Sequence, residues 1–235
     1  MRVLAFIGLA IVAIVVVFLA WWASQTPTYV HRFRLVIEAE AEGEVRRGAS
    51  VIEVRTTDYK VGLPHTTGFR SRVRGEAVFV DLGQGRHVIA ILGFGPTGSR
   101  DGIAGLAWSA FRRSDPRLQV SDVPDLEGSV DLHGDLIPTL VTFRDIDDPT
   151  SARVVLLDQF ETVFGPDVHF RGARLEMVPA GIWPLTLFGI GGEPITRGIE
   201  ERLPWVKSLR GYLHGKFACN PSIESCLEVG QFGRE

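Results

Sequence analysis

GEAVFVDLGQGRHVIAIL, Gly75–Leu92, carries the clearest hairpin signal in the chain. Two largely apolar runs, Gly75–Leu82 and Arg86–Leu92, flank the tripeptide Gly83-Gln84-Gly85. Because glycine adopts positive φ without steric cost, the tripeptide predicts a tight turn and the whole stretch predicts a β-hairpin. An antiparallel sheet is therefore expected around this hairpin.

Other segments support the same architecture. Arg32–Glu40 alternates apolar and polar residues with a period of two, and Ala49–Arg55 follows it as a hairpin partner. Further strands are predicted at Ile137–Arg144, Arg153–Leu157 and Val168–Val178, and short helices at Ile103–Arg113, Asp158–Phe164 and Ile195–Leu203. The expected fold class is α+β and mostly β, an antiparallel sheet or sandwich with short helices packed on it.

The N-terminal segment Val3–Trp22, VLAFIGLAIVAIVVVFLAWW, has no charged residue. A helix of about 20 residues spans about 30 Å, the thickness of the hydrocarbon core of a bilayer. The alternative is a cleaved signal peptide, but its apolar core is only about 7–15 residues long and is followed by small residues. Here cleavage after Ala20 or Ala23 leaves bulky Phe18 or Trp21 three residues before the cut. A transmembrane anchor in the lipid bilayer is the favoured prediction.

This anchor sets the expected domain organisation: residues 1–23 as transmembrane helix, 24–30 as linker and 31–235 as one β-rich globular domain. The polar stretch 117–135 is a candidate sub-boundary. Positive charge is nearly equal on the two flanks of the anchor, but a long domain is translocated largely regardless of charge. We expect a single-pass protein of the cytoplasmic (inner) membrane with its domain on the periplasmic side.

The two cysteines, Cys219 and Cys226, agree with that location. A disulfide between them closes a loop of about eight residues, and disulfides persist outside the cytosol. Two reduced thiols in a surface loop are the alternative. A zinc site is weaker, because His214 supplies only a third ligand and no CxxC spacing is present.

Composition excludes one class of partner. The chain has 25 basic and 28 acidic residues, interleaved, with a formal net charge of −3. Proteins that bind nucleic acids carry a basic stripe or a basic tail. The sequence has neither, so no nucleic-acid partner is expected.

One motif matches a cofactor-binding pattern. It is Gly93-Phe94-Gly95-Pro96-Thr97-Gly98, a literal GxGxxG after an apolar strand and before a helix. In a dinucleotide fold, Gly93, Gly95 and Gly98 would let backbone amides hold a pyrophosphate. The motif here follows a hairpin rather than a βαβ unit, which favours a glycine-rich connection. No cofactor is predicted, and nucleotide binding stays the alternative.

Two groups of polar residues are weak candidates for metal ligands. Asp145 and Asp147 lie in RDIDDP, whose spacing fails the EF-hand template and fits a turn before Pro149. His133 and Asp135 form HGD, which makes a metal or acid–base site only if folding brings further ligands close. No GxSxG, HExxH or GxxxxGK[ST] string occurs. No catalytic residue and no metal are therefore predicted.

The segment Gly181–Gly192, GIWPLTLFGIGG, is unusually apolar for a connection. A strand that completes the core is the first interpretation. The functional one is that Trp183–Ile190 meets a protein partner or the bilayer surface.

Three strings carry a family resemblance: LVTFRDIDDP (Leu140–Pro149), FGPDVHFRGARLEM (Phe164–Met177) and ITRGIEERLPW (Ile195–Trp205). They resemble an uncharacterised group of small membrane-anchored bacterial proteins, in which LVTFxDIxDP, FGPGxxLKxxxLE and TxGIExxLPW recur in this order. The resemblance covers about Leu136–Gly211 and implies a bacterial, membrane-bound protein. It implies no activity and no site residue.

The functional expectation is a non-enzymatic envelope protein, a tethered module that binds another protein or supports a membrane assembly. The alternative is a nucleotide-binding protein or enzyme that uses Gly93–Gly98. A third, weaker hypothesis is a ligand pocket centred on His133 and Asp135.

Overall fold

A computed structural model describes residues 11–18, 21, 24–60, 68–181, 191–209, 216–220 and 225–234. Its strands are β1 (Thr28–Ala41), β2 (Glu44–Tyr59), β3 (Gly68–Glu76), β4 (Val78–Gly83), β5 (Arg86–Phe94), β6 (Ser129–Leu132), β7 (Pro138–Phe143), β8 (Ala152–Val155), β9 (Val168–Val178), β10 (Lys216–Asn220), β11 (Ser225–Glu228) and β12 (Gly233–Arg234). After the N-terminal helical residues, the helices are α1 (Leu106–Arg112), α2 (Phe160–Phe164), α3 (Ile199–Arg202) and α4 (Trp205–Leu209), with short 3₁₀ turns between elements. The predicted fold class, mostly β with antiparallel sheets and few short helices, is confirmed.

The strands form a six-stranded sheet in the order β12-β3-β2-β1-β9-β6, a four-stranded sheet in the order β4-β5-β7-β8, and the separate pair β10-β11. All pairings between these strands are antiparallel. The chain passes from the first sheet to the second at Ala77, between β3 and β4. The predicted strand Gly75–Leu82 therefore spans the crossing, and its first two residues belong to β3.

Both predicted hairpins are present. All of β1 pairs with Glu44–Thr57 of β2 around Glu42 and Gly43, whose φ values are 56° and 77°. Strands β4 and β5 pair around Gln84 and Gly85, with φ values of 56° and 74°. Two positive φ angles in a two-residue loop are those of a type I′ turn, whose twist matches that of the flanking strands.

Two hydrophobic clusters divide the interior into layers. The larger lies between the sheets, where inward residues of β1 and β2, such as Phe33 and Ile52, meet inward residues of β4 and β5 and the buried face of α1. The smaller covers the other side of the four-stranded sheet with α3, α4 and Phe232. Strand β5 is consequently buried on both faces, which explains why its sequence is a continuous apolar run.

The two sheets come into close contact at Gly48 of β2. A Cβ atom on Gly48 would lie 2.3 Å from the carbonyl oxygen of Phe79 in β4. No larger residue fits this contact without moving a backbone, so Gly48 sets the spacing of the sandwich at this point.

Several predicted elements have different bounds in the structure. The segment 117–135 contains β6, which joins the six-stranded sheet by pairing with β9. The predicted helix Ile195–Leu203 is reduced to α3, because Gly198 before it has a φ of 118° and Thr196 bonds to the backbone of Val51 instead. Strand β1 begins at Thr28, inside the predicted linker.

Residues 11–18, 21, 24 and 25 are helical. The apolar side chains of Ile11, Val12 and residues 14–18 are each 49–68% exposed. Among the helices in the described ranges, none combines the length and the apolar character needed to cross a bilayer. Most of the rest of the predicted anchor, residues 3–10, 19, 20 and 22, lies outside the described residues.

Candidate functional site

The glycine motif forms a tight loop at the end of β5. Phe94 and Arg100 close this loop by exchanging backbone hydrogen bonds of 2.9 and 3.2 Å. A Cβ on Gly93 would lie 2.1 Å from the carbonyl oxygen of Gly98, while Gly95 and Gly98 have φ values of 84° and 70°. All three glycines therefore have a backbone reason to be glycine.

The surroundings of the loop also bond it to the protein. The Thr139 hydroxyl donates to the Gly95 carbonyl at 2.6 Å, and the Gln231 amide donates to the Gly98 carbonyl at 2.7 Å. The strand before the loop belongs to an antiparallel sheet, whereas a dinucleotide fold requires a parallel βαβ unit. Nucleotide binding at Gly93–Gly98 stays a prediction without support from this geometry.

The HGD segment lies beside this loop. One Asp135 carboxylate oxygen accepts from Arg113 at 2.7 Å, and the Asp135 carbonyl accepts from Arg100 at 2.7 Å. The backbone carbonyl of His133 accepts from Arg113 at 3.2 Å. The Asp135 carboxylate is thus held in an ion pair, and among the described residues no third potential metal ligand joins His133 and Asp135.

Gly95 and Asp135 line one open cleft of about 330 Å³. Its walls are mostly apolar: Pro96, Ile137, Pro138, Leu140, Val154, Val155, Leu156 and Leu157. Leu156 and Leu157, directly after edge strand β8, are 41% and 43% exposed. An apolar cleft beside an edge strand suits an apolar side chain or a short extended segment of another protein.

The aspartates of RDIDDP form a turn. Asp145 accepts a hydrogen bond from the backbone N–H of Asp147 at 3.1 Å. Asp148 accepts from both the backbone N–H and the hydroxyl of Thr150, and these bonds lower the pKa of its carboxyl group. Within the part of the chain that the structure describes, no three His, Cys, Asp or Glu side chains are grouped closely enough to hold a metal ion.

The cysteines lie on paired strands. Cys219 is in β10 and Cys226 is in β11, and Asn220 pairs with Ser225. The register of the two strands shifts between Phe217 and Asn220, the stretch that contains Cys219, so the neighbouring pairs do not establish which residue lies opposite each cysteine. The disulfide stays a prediction.

A second cleft, of about 660 Å³, opens at the end of the sandwich where β1 begins, and sequence reasoning missed it. His31 lines it and is only 6% exposed. Its Nε2 atom is buried and has no hydrogen-bond partner among the described residues. Burial lowers the pKa of His31 to about 4, because the charged ring loses its hydration.

Hydrogen bonds of charged side chains connect Glu193 and α3 to the six-stranded sheet. Arg32 donates to the Glu53 carboxylate at 2.7 and 2.9 Å and to the Glu193 carbonyl at 2.6 Å. The buried Glu76 carboxylate accepts from the backbone N–H of Ile199, the first residue of α3, at 2.7 Å. These contacts satisfy the hydrogen-bonding groups of buried and half-buried charged side chains, so we interpret them as structural.

Strand β3 carries three arginines that the sequence analysis did not single out. Arg70, Arg72 and Arg74 occupy every second position of the strand and therefore lie on the same, outer face of the six-stranded sheet, opposite Thr57, Arg55 and Glu53 of β2. The signal was available in the sequence, since GFRSRVRGE places arginine at every second position, as one face of a strand requires.

No protein-family model, curated protein or solved structure matches this chain significantly. The geometry defines a two-sheet, mostly β domain preceded by an apolar helical segment. Accessible features among the described residues include an apolar cleft, a histidine-lined cleft and the exposed arginines at the start of β3. The separately predicted Trp183–Ile190 segment lies outside the described residues.

Proposed function

We propose that this chain is a membrane-tethered, non-enzymatic binding module. The observation that carries the proposal is the exposed apolar surface of helical residues 11–18, within an uncharged run that extends from Val3 to Trp22. Seven of the side chains at these positions are 49–68% exposed, a state that water disfavours and lipid tails favour. The bilayer is therefore the first partner of the chain.

The second part of the proposal concerns the domain. The apolar cleft at Leu156 and Leu157 offers the binding surface, and edge strand β8 beside it offers backbone groups for an added strand. The domain lies on the periplasmic side of the inner membrane, where a protein partner in the envelope reaches the cleft. The apolar segment Trp183–Ile190 is a second candidate contact for that partner or for lipid.

A pair of C-terminal reporter fusions tests the tether and its orientation. Alkaline phosphatase fused after the last residue is active only if the domain has crossed the membrane, and a fluorescent protein at the same place is bright only if it has not. We expect an active phosphatase and a dark fluorescent fusion. The reverse pattern contradicts the proposed orientation.

A photo-crosslinking residue in place of Leu157 tests the binding surface in intact membranes. We expect one reproducible crosslinked product, and we expect the product to be lost from a matched variant with the crosslinker at Val45, which is 61% exposed on the other sheet. Equal labelling from both positions would show that the cleft does not select a partner.

A further inference from the structure

The end of the six-stranded sheet nearest the helical segment is held in a fixed position. The Gln25 carbonyl accepts from the backbone N–H of Lys60 at 3.1 Å, and the Pro27 carbonyl accepts from that of Asp58 at 2.9 Å. The last residues of the helical segment are thus bonded to the end of β2. If the proposed tether is correct, this end of the sheet faces the bilayer at short range.

Three arginines lie on the outer face of the sheet at this end. Arg55 and Arg72 are directly opposite each other on β2 and β3, and Arg70 is two residues closer to the start of β3. All three are exposed. Like charges that face each other across two strands repel, so this arrangement costs folding energy.

Several other arginines on the same face have their charges paired with acidic side chains. Ion pairs of 2.5–2.8 Å link Arg32 to Glu53, Arg34 to Glu176 and Glu193, Arg47 to Glu38, and Arg174 to Asp131. By contrast, no acidic side chain in the described residues forms an ion pair with Arg55, Arg70 or Arg72. The uncompensated charge is therefore concentrated at the end that the helical segment reaches.

Acidic groups at this end lie on the other side of the sheet. Asp58 alternates with Arg55 and belongs to the inner face, and Asp125 and Glu127 line the His31 cleft beside β1. The connection 61–67, VGLPHTT, contains no acidic residue in its sequence. Arg70 stacks over the ring of Tyr59 at 5.4 Å, which holds its guanidinium at the surface.

We propose that Arg55, Arg70 and Arg72 dock this corner of the sheet onto the phosphate groups of anionic lipids in the bilayer that holds the helical segment. The guanidinium group suits phosphate because it donates two parallel hydrogen bonds, and an anionic surface attracts each nearby basic residue by roughly fivefold in affinity. Phe69, 58% exposed, precedes Arg70 in β3 and lies opposite Asp58, on the other face of the strand at the same end of the sheet. This inference rests on the proposed tether.

The test uses the full chain in lipid nanodiscs with a fluorescent amino acid at position 69. Discs contain a lipid with a spin label on its headgroup, in phosphatidylcholine alone or with about one third phosphatidylglycerol. We expect quenching to increase at least about twofold in the anionic discs and to return to the neutral value in about 0.5 M salt, where the screening length falls to a few ångströms.

Arg70→Gln with Arg72→Gln should abolish the increase. The matched control is Arg144→Gln with Arg153→Gln, which removes the same charge from exposed sites on the four-stranded sheet and should leave quenching unchanged. Equal quenching in both lipids, or an equal loss in the control, overturns the docking. A chain that does not enter the discs overturns the tether itself, so the two failures are distinguishable.

Discussion

The buried ring of His31 makes a quantitative prediction about acid stability. The pKa of the ring is about 4 in the folded chain and about 6.5 in the unfolded chain. Between these two pH values, the ring is neutral in the folded state and protonated in the unfolded state. Stability is therefore lost as the pH falls from about 6.5 towards 4. Linkage gives a loss of about 2 kcal/mol at pH 5 and about 3 kcal/mol at pH 4.

His31→Leu removes this titration and the unpartnered Nε2 atom together. Urea unfolding of the full chain in detergent micelles, followed between about pH 7 and pH 4, gives the free energy of unfolding at each pH. We expect the wild type to lose about 2 kcal/mol more than the variant by pH 5. His133→Leu is the matched control, because the His133 ring is exposed in the folded chain. Parallel curves for wild type and His31→Leu would refute the assignment of a buried neutral histidine.

The remaining predictions concern the sandwich, the cysteines and the glycine loop. Gly48→Ala should cost about 3 kcal/mol or more of unfolding free energy, because its Cβ would lie 2.3 Å from the Phe79 carbonyl, whereas Gly172→Ala, with open space around it, should cost about 1 kcal/mol or less. Alkylation of the denatured, unreduced chain should leave Cys219 and Cys226 unmodified, and labelling of both without reductant would contradict the disulfide. Calorimetric titration with NAD, FAD or ATP should give no binding heat, and a saturable signal would revive the nucleotide alternative.

Local signals in the sequence predicted much of this fold. Strand β9 has the predicted bounds, Val168–Val178, because its alternation matches one face of the core. The predicted helix Asp158–Phe164 is present as a 3₁₀ turn that continues into α2 and ends at Gly165, whose φ is 110°. In these elements the residue pattern and the packing agree, so short-range reasoning was sufficient.

Elements that depend on distant partners were missed. Strand β3 was not predicted although its arginines alternate with a period of two, because only Phe69 and Val73 are large apolar residues among its inward positions and β2 supplies its hydrogen-bond partners. The helix expected from Ile195 does not start there, because Thr196 completes the edge of β2 at Val51 over a sequence separation of 145 residues. No local pattern contains that contact.

The candidate sites likewise combine features that the sequence indicates with features that only the structure shows. The glycine motif was recognised by spacing, but only the structure shows that Gly93 is required by the carbonyl oxygen of Gly98. His31 directly precedes the predicted strand Arg32–Glu40, and nothing in the local sequence indicates its burial. Its unpartnered nitrogen and its cleft depend on residues 124–127 and 177–180, which fold against it from other elements.

The tether is tested most directly by sedimentation of the full chain after an alkaline carbonate wash of the membranes. We expect the wild type to remain in the membrane pellet. Ile14→Arg with Val17→Arg should move the chain to the supernatant, since each arginine at the centre of a helix costs about 3 kcal/mol of insertion free energy. The matched single variant Val45→Arg, at an exposed apolar position of the domain, should stay in the pellet. An unprocessed wild-type chain in the supernatant, without detergent, would contradict the proposed membrane tether.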